Sequence, residues 1–506
     1  MYRALAIVGL LACSRTSSTE LVLRVTADGT PIAARVQLVA ELGEPLHIGT
    51  IDLYGARQGA TACVFAADAI GTWNGIIVGT GSADIPVGRD ACKPSPAIPY
   101  GRYKVIAWHG IDYDRWEGEV DLGAGRGRVE LAIPLVRAWA APGNTLAADM
   151  HVHAHGSNDS GMPDVQRALA QLAAGIQVTG ISNHNAPGTL ADAIHALHAE
   201  ARIAAVPSIE LTADPLHVGV YPVPLAPVAN VDAIVHADAA KLFAIARAFP
   251  GDPIVQLNHP RFRVTALYDS QHWDGTSWPP PFPRGFDAVE VLNGFTAFNA
   301  AGDRRIDDSV RDFYTLIDHG WLVAPVGNSD SHDFNWVHDG LARTYVYMPT
   351  PFDQAAFVAA VRARRTVATT GPWLSVDIGG AGPGQIAKAD HGQVTLTIDV
   401  AQANFVHADR VRVTIGTVTG PVVVETIPIT GPTLHWQGPI AVGAADTWIG
   451  VTADGDTPMP LEQTGSYQKD KWKRAGNTPF AIASPILVDV DGDGHWKRGD
   501  ADLERR

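Results

Sequence analysis

The chain has 506 residues, of which 46% are hydrophobic and 18% are charged, so we expect about two to four domains in a soluble, globular protein. Asp and Glu outnumber Lys and Arg by 53 to 38, and the net charge of −15 argues against nucleic acid as the main partner. The sequence has no run of roughly 18 or more apolar residues, which argues against a membrane-spanning helix.

The first residues have the features of an export signal. Arg3 precedes the apolar run Ala4–Ala12, and Leu10-Leu11-Ala12-Cys13 resembles the lipoprotein signal box of bacteria, in which the cysteine is lipidated. We therefore expect a signal peptide and polar tether over residues 1–19. The protein would belong to the bacterial cell envelope, either anchored through a lipid on Cys13 or released to the periplasm or the exterior. An ordinary short signal peptide or a misplaced start site would explain the same residues.

Cysteine usage agrees with export from the cytosol. The chain contains only Cys13, Cys63 and Cys92. If Cys13 carries a lipid, the other two remain as an even pair that can form a disulfide in an oxidising compartment. The spacing of Cys63 and Cys92 leaves open whether the two side chains meet.

Residues 20–140 consist of short alternating runs separated by glycine-containing turns, a pattern that indicates a β-sandwich. Asp28-Gly-Thr-Pro-Ile-Ala-Ala-Arg-Val36 and Pro99-Tyr-Gly-Arg-Tyr-Lys-Val105 are similar to segments of transthyretin-like or carboxypeptidase-regulatory modules. We find no cluster of catalytic residue types here, so we interpret this region as scaffold.

From residue 146 to residue 372, apolar strands alternate with longer helical stretches, which predicts parallel strands with crossover helices in an α/β barrel or an open sheet. The predicted strands are Leu146–Val152, Ile176–Ser182, Ile203–Ile209, Val218–Val223, Ile254–Asn258, Ala288–Leu292 and Leu322–Val326. The predicted helices are Pro163–Ala174, Thr189–Ala204, Asp232–Phe249, Asp303–Asp318 and Phe352–Arg364.

Histidine is concentrated in this central region, which holds 13 of the 19 histidines. His151 and His153 are two residues apart at the end of the first strand, so both imidazoles face the same side. Other metal-binding residue types follow or flank later strand ends: His184, Glu210, His217, His259, Asp330 and His332. Each of them alone is more often a satisfied polar residue or a solvated charge. Together they predict a metal centre, because burying so many without a cation would be costly.

These residues resemble the motifs of the polymerase-and-histidinol-phosphatase (PHP) superfamily, and most closely its CehA/McbA-like metallohydrolase branch, named for a carbaryl hydrolase. The motifs are His151-Val-His153, Ser157-Asn-Asp159-Ser160, Ile181-Ser-Asn-His184-Asn185, Glu210, His217-Val-Gly-Val-Tyr-Pro222, Asn258-His-Pro-Arg261, Phe286-Asp-Ala-Val-Glu-Val-Leu-Asn-Gly294 and Gly327-Asn-Ser-Asp330-Ser-His332. The resemblance implies an α/β fold with a distorted (β/α)7 barrel over residues 146–372, flanked by β-sandwiches at residues 20–140 and 375–506.

The resemblance also implies a trinuclear centre. Its first metal would be held by His151, His153, Glu210 and Asp330. Glu210 would bridge to a second metal completed by His217 and His259, and a third would be held by Asp159, His184 and His332. Mixed imidazole and carboxylate ligands suit zinc, manganese or iron, and we expect two or three such ions. Asn183 stands where the family usually has aspartate, which implies altered tuning of the third metal. His155 is an additional histidine without an implied role.

The implied reaction is hydrolysis of a small-molecule substrate. Two metals that share a carboxylate can share a water, and the resulting hydroxide would attack a phosphorus or a carbonyl carbon. A phosphoester and an aryl ester, carbamate or amide are all open as the bond cleaved. We predict catalytic roles for Asp330 and His332. Arg261 would bind a phosphate or a developing oxyanion, and its alternative role is a salt bridge.

Two further alternatives concern the mouth of the predicted barrel. Aromatic residues lie in the surrounding loops: Tyr268, Trp273, Trp278, Phe295, Phe298 and Trp336. They form an apolar lid over an aromatic substrate or, as we favour, pack the long loop Ala266–Arg284 onto the barrel. The alternative to an enzyme is a non-catalytic surface lipoprotein that keeps its metals for structure or for ligand capture.

Residues 375–506 return to alternating strands, which predicts a second β-sandwich. Near its end, Asp489, Asp491, Asp493 and Asp500 occupy the first, third, fifth and twelfth positions of a loop with Gly494 at the sixth. This is the spacing of a calcium loop, with Asp in place of the usual final Glu. The alternative is an acidic turn that closes the sandwich.

Overall fold

The computed structural model describes residues 18–40, 43, 46, 48, 63–72, 75–88, 98–261, 266–294, 305–334, 337–464, 477–498 and 501–502. Within these residues the protein is a mixed α/β structure with more strand than helix, arranged in several sheets. Several sequence predictions fall outside the described residues: the lipid on Cys13, the Cys63–Cys92 pair, Phe295, Phe298, Trp336 and Asp500.

Two sheets form the N-terminal region. Its strands are β1 (Thr19–Ala27), β2 (Thr30–Pro31), β3 (Ala34–Ala40), β4 (Cys63–Ala66), β5 (Ala69–Thr72), β6 (Gly75–Val78), β7 (Ser82–Val87), β8 (Arg102–Trp108), β9 (Trp116–Asp121) and β10 (Arg128–Leu135). β1 pairs with β10, β2 and β7, and the other six strands follow the order β4-β5-β6-β3-β8-β9. Apolar side chains from both sheets, including Leu21, Leu23, Val36 and Val105, share one buried cluster. The alternating pattern therefore leads to two sheets around one core.

The central region contains ten strands and seven helices among its described residues. The strands are β11 (Thr145–Val152), β12 (Val178–Ile181), β13 (Ala204–Pro207), β14 (Ile209–Thr212), β15 (His217–Tyr221), β16 (Ile254–Leu257), β17 (Ala288–Asn293), β18 (Ala324–Asn328), β19 (Arg343–Tyr347) and β20 (Thr366–Thr369). The helices are α1 (Asp164–Ala173), α2 (Ala191–Ala196), α3 (Val231–Val235), α4 (Ala239–Arg247), α5 (Leu267–Ser270), α6 (Arg305–Asp318) and α7 (Gln354–Arg362).

Each predicted central strand overlaps an observed one, because these short apolar runs are mostly buried, and β11 and β17 are buried throughout. The predicted helix Asp232–Phe249 is wrong as a single element, since it divides into α3 and α4. Asp238 lies between them, and its carboxylate accepts a hydrogen bond of 2.8 Å from the backbone N–H of Lys241. A side chain that caps a new helix in this way ends the preceding one.

The central strands are shared between two sheets. The order β13-β12-β11-β19-β20 forms one end of an eleven-stranded sheet, and β14-β15-β16-β17-β18 forms a separate five-stranded sheet. Two isolated bridges link the sheets: Val152, the last residue of β11, pairs with Ser331, and His184, beyond the end of β12, pairs with Glu210. Within the described residues, continuous strand pairing does not close into a barrel.

The prediction of parallel strands throughout the central region is wrong for β15. This strand is antiparallel to both β14 and β16, whereas β16, β17 and β18 are parallel to one another. The reason is the short turn between β14 and β15, in which Ala213 and Leu216 exchange backbone hydrogen bonds. A turn of this length joins only antiparallel strands.

The C-terminal region continues the larger central sheet. Its elements are β21 (Trp373–Ile378), β22 (Ile386–Lys388), β23 (Gln393–Ala401), β24 (Arg410–Thr417), β25 (Gly420–Pro428), β26 (Thr433–Ala441), β27 (Thr447–Asp454), α8 (Leu461–Thr464), β28 (Phe480–Ala483), β29 (Ile486–Asp489), β30 (Lys497–Arg498) and β31 (Ala501–Asp502). β28 pairs with β20, and β21, β23 and β26 form a smaller sheet against the same core. Among the described helices, none is long and apolar enough to span a membrane.

Candidate metal centre

Nine side chains converge at the carboxyl-end edge of the central strands. His151 and His153 come from the end of β11, and the other members lie at or just beyond neighbouring strands: Asp159, His184, Glu210, His217, His259, Asp330 and His332. Parallel strands bring their carboxyl ends to the same edge. His217 joins them because it begins the antiparallel strand β15, whose amino end lies at that edge. The sequence identified all nine positions, and the structure brings them together.

The nine residues form four overlapping groups, in each of which the ligand atoms lie within 4.8 Å of one another. The groups are His153–Asp159–His184–His332, His151–Glu210–His259, His151–His153–Asp330 and His184–Glu210–His217. Because the groups share members, they are one continuous cluster. The groups differ from the implied assignment in several respects. His153 also joins the group of Asp159, and Glu210 is not in the group of Asp330. His217 and His259, which the resemblance implies for one metal, fall into separate groups.

Glu210 lies at the middle of the cluster and is fully buried. Its two carboxylate oxygens contact five imidazoles, at 3.0 Å (His151), 3.2 Å (His217), 3.4 Å (His259), 2.8 Å (His184) and 3.7 Å (His153). A single carboxylate that faces imidazoles on both of its oxygens can share a metal ion with histidines on either side.

Asp330 and Asp159 occupy the two ends of the cluster. One oxygen of Asp330 lies 3.2 Å from Nε2 of His151 and 3.2 Å from Nε2 of His153. One oxygen of Asp159 lies 3.0 Å from Nε2 of His184 and 3.0 Å from Nε2 of His332. Each aspartate therefore pairs with two histidines in a group small enough to surround one ion.

Two buried atoms at the centre test whether these residues fit a metal. Among the described residues, Nε2 of His153 and Oε2 of Glu210 make no hydrogen bond, although other ligand atoms lie within 4 Å of both. Leaving buried nitrogen and oxygen atoms without a hydrogen bond is costly. A divalent cation removes that cost, and a mixed imidazole and carboxylate donor set suits zinc, manganese or iron. The residues therefore fit a transition metal.

The pKa shifts also indicate that the carboxylates of the cluster stabilise positive charge close to them. Burial opposes the charged form of His184, but Glu210 and Asp159 outweigh it and raise the pKa of His184 to about 10. Burial opposes the charged form of Glu210 as well, yet the surrounding imidazoles hold its pKa well below the usual value. Burial and the neighbouring imidazoles lower the pKa of His153 to about 3. Protons on some histidines thus offset the carboxylate charge that bound cations would offset.

Glu290, which the sequence analysis did not single out, orients the cluster from below. Its Oε1 lies 2.8 Å from Nδ1 of His151, and its Oε2 accepts a hydrogen bond of 2.8 Å from the backbone N–H of His259. When Nδ1 of His151 donates to this carboxylate, Nε2 is left as a lone pair facing the cluster. The sequence feature that could have identified Glu290 is its place in the middle of the mostly apolar strand β17, every residue of which is buried.

Other ligands are oriented in the same way through their second polar atom. Nδ1 of His153 lies 3.1 Å from the Ser157 hydroxyl, which donates to Asp159 at 2.8 Å. Nδ1 of His332 lies 2.8 Å from the carbonyl oxygen of Asp330. These contacts define which imidazole nitrogen faces the other ligands.

Two asparagines fix the backbone and the carboxylates of the site. Asn258 donates to Oε1 of Glu210 at 2.8 Å. Asn183 accepts a hydrogen bond of 2.9 Å from the backbone N–H of Ala154, directly after His153. Asn183 therefore stabilises the turn that follows β11, which is a positioning role.

Arg167, on α1, connects the turn at His153 to the turn at Ser331. Its guanidinium is fully buried and donates to the carbonyl oxygens of His153 at 2.9 Å and Ser331 at 3.0 Å. It also pairs with Asp339 at 2.6 Å, and Asp339 lies 3.4 Å from Arg35 of the N-terminal region. A buried chain of charges thus connects β3 to the loops that carry His153 and Asp330.

Backbone strain is concentrated at the same loops. Asn185, His259 and Asp330 all have positive φ angles, of 53°, 28° and 53°. Such conformations cost free energy for residues other than glycine and persist where the surrounding structure enforces them. Here they turn the chain directly after β12, β16 and β18, where ligand residues lie.

Arg261 has the salt-bridged role, which was the alternative to binding an oxyanion. Its Nε donates to Asp312 at 2.6 Å, its Nη1 to Asp269 at 3.1 Å and its Nη2 to the carbonyl oxygen of Trp273 at 2.9 Å. Each nitrogen of the guanidinium therefore already has a partner, and the interaction with the buried Asp312 attaches Arg261 to α6.

The described aromatic residues pack the loop as we favoured. Tyr268 and Trp273 are buried, and their rings meet edge to face with centroids 4.8 Å apart. Trp278 stacks on His319 with centroids 4.4 Å apart. These three residues thus attach the long loop to the body of the molecule and do not form a lid.

The acidic C-terminal loop forms a tight turn in which the carboxylates accept backbone hydrogen bonds. Asp489 accepts from Gly492 at 2.7 Å and from Gly494 at 2.9 Å. Asp446, which the sequence analysis missed because it lies far away in the chain, forms a group with Asp489 and Asp491 that could hold a cation. Calcium binding at this loop stays a prediction.

No family model, no curated protein and no solved structure matches this chain.

Proposed function

We propose that the protein is a metal-dependent hydrolase whose nine clustered side chains hold two or three divalent cations of zinc, manganese or iron. The observation that carries this proposal is the convergence of six imidazoles and three carboxylates at one edge of the central strands. The two buried atoms without hydrogen bonds, on His153 and Glu210, support a cation among them.

When bound, such cations lower the pKa of a coordinated water and withdraw electrons from the bond to be cleaved. The protein's own residues have separate tasks. Glu210 would hold metal through its carboxylate, whose two oxygens face different histidines of the cluster. Asp330 contacts His151 and His153, and His332 pairs with Asp159. Glu290 keeps the imidazole of His151 oriented.

We further propose that the chain is related to the PHP superfamily and that its two central sheets correspond to a distorted barrel. In support, the strands follow one another in space as β11, β12, β13, β14, β15, β16, β17 and β18. The bridge Val152–Ser331 brings the end of this series back beside its beginning. The lipoprotein-like segment ending at Cys13 supports export to the cell envelope, as a further proposal.

The test combines metal analysis of the purified protein with a panel of aryl phosphate, phosphodiester, aryl ester and aryl carbamate substrates. We expect bound transition metal and turnover of at least one class, with both lost in Asp330→Asn. A protein without transition metal that stays inert after metal loading would refute the proposal. A metal-containing protein that binds ligands without turnover, and binds them equally well as Asp330→Asn, would be the non-catalytic binding module instead.

A further inference from the structure

A cleft of about 610 Å³ lies against the metal cluster. Two of the nine clustered residues, His184 and His217, form part of its wall. The same cleft extends to α3, whose residues Val231 and Val235 form another part of the wall. One continuous space therefore connects the proposed reaction centre to a short helix without ligand residues.

The helix α3 turns two large apolar side chains into this space. Val231 is 42% exposed and Val235 is 40% exposed, whereas Ile234 between them is 1% exposed and belongs to the core. Residues four apart lie on the same helix face. Asn230 caps the helix by accepting a hydrogen bond of 3.0 Å from Ala233, which fixes the direction of that face. The two valines thus form a small apolar surface at the cleft.

The charged residues of the cleft do not favour an anion beside α3. Among the described residues that line it, Asp214 is the only charged side chain other than the histidines, and neither lysine nor arginine is present. An anionic group beside α3 would lie near a carboxylate, with neither lysine nor arginine among the described lining residues to pair with it. An uncharged apolar group would instead cover the exposed valines, which is favourable because it removes apolar surface from water.

We propose that Val231 and Val235 determine specificity by binding an uncharged alkyl or aryl group of the substrate while the bond to be cleaved lies at the metal cluster. This inference rests on the proposed function, since it assumes that the cleft leads to the reaction centre. It assigns the two valines to substrate recognition and not to bond cleavage.

The experiment measures binding of phenylphosphonate and methylphosphonate to the zinc-loaded protein by calorimetry. The two probes share the same anionic head and differ only in the apolar group. We expect phenylphosphonate to bind roughly tenfold more tightly to the wild type, the size of effect typical of a small apolar contact. In Val231→Ser/Val235→Ser the ratio should fall to about two, with the affinity for methylphosphonate unchanged.

A matched control is Val422→Ser/Val424→Ser, which changes two comparably exposed valines on β25 and should leave the ratio unchanged. Metal content and the melting temperature show whether each variant is folded, and Val231→Thr/Val235→Thr provides a second variant of nearly identical shape. A wild-type protein without the phenyl preference, or a preference that survives both cleft variants, would overturn the inference. Because binding is measured without turnover, failure of the proposed hydrolysis is recognised separately in the substrate panel.

Discussion

The candidate metal centre and the acidic C-terminal loop both gather carboxylates, but their oxygens have different partners. In the centre, Glu210 faces five imidazoles within 4 Å, and one of its buried oxygens makes no hydrogen bond among the described residues. In the loop, both oxygens of Asp489 accept backbone N–H groups. The first arrangement requires added positive charge, whereas the second is satisfied by the chain itself.

This difference shows that the spacing of ligand residues in a sequence does not by itself establish cation binding. Both regions have a recognisable sequence pattern for cation binding, yet a carboxylate that caps its own turn contributes to stability with or without an ion. Buried carboxylates among imidazoles must share protons or cations with them. Substitutions in the metal centre should therefore have larger effects on metal content and turnover than substitutions in the acidic loop.

The largest effect is expected for Glu210→Gln, which removes the charge shared by the cluster at almost constant shape. Turnover should fall by on the order of a thousandfold or more, and at least one metal per chain should be lost. Metal analysis and initial rates measure both quantities. Asp489→Asn is the control and should retain its full transition-metal content. Equal metal loss in both variants would contradict the distinction between the regions.

Metal affinity should rise with pH between 6 and 8. The pKa of His184 is raised to about 10 in the metal-free protein, so this imidazole is protonated throughout that interval. A metal must displace the proton, and its affinity therefore increases about tenfold per pH unit for each proton released. Competition with a chelator at three pH values measures the slope. Affinity independent of pH would show that His184 does not bind the metal.

Glu290→Gln tests the orientation of His151 without removing a ligand. The amide keeps the shape of the side chain but replaces one of the two acceptor oxygens with an NH2 donor, so metal affinity should fall roughly 10- to 100-fold. Chelator competition measures the change, and circular dichroism shows whether the fold is retained. Unchanged affinity would mean that the contact of 2.8 Å between Glu290 and His151 is dispensable.

Arg261→Met distinguishes loop stabilisation from oxyanion binding. Removing the guanidinium leaves Asp312 buried and unpaired, which should cost about 2 kcal/mol of unfolding free energy. Arg261→Met/Asp312→Asn should recover part of that loss, whereas kcat on a small substrate should change little in either variant. Denaturant unfolding and initial rates measure both. A large loss of kcat at unchanged stability would restore the catalytic role.

The smallest effect concerns the acidic loop. Asp489→Asn should lower stability by about 1 kcal/mol, since the amide replaces a charged acceptor of two backbone hydrogen bonds. Millimolar calcium should raise the melting temperature of the wild type by roughly 1–3 °C and leave that of the variant unchanged. Calorimetry with and without calcium makes the comparison. No calcium-dependent rise in the wild type would leave the loop as an acidic turn.

Local pattern located the central strands and eight of the nine side chains that converge, whereas Asp159 was expected only from the resemblance. Short apolar runs ended at positions such as His151 and Asp330, and strand ends meet wherever strands run parallel. The supporting residues were less visible, because Glu290, Asn258 and Arg167 become important only through contacts with residues far away in the chain. The antiparallel placement of β15 was missed because pairing direction depends on the turn before it.

The sequence by itself determined which residue types stand at the strand ends, and hence that histidines and carboxylates gather at one edge. Only the tertiary structure decided that Arg261 is paired with Asp312, that Asp446 joins the acidic loop, and that Val231 and Val235 line the cleft. The physical reason is the separation along the chain between the residues that interact. Burial and alternation follow from neighbours along the chain, whereas pairing of charges and the lining of a cavity depend on segments that meet only after folding.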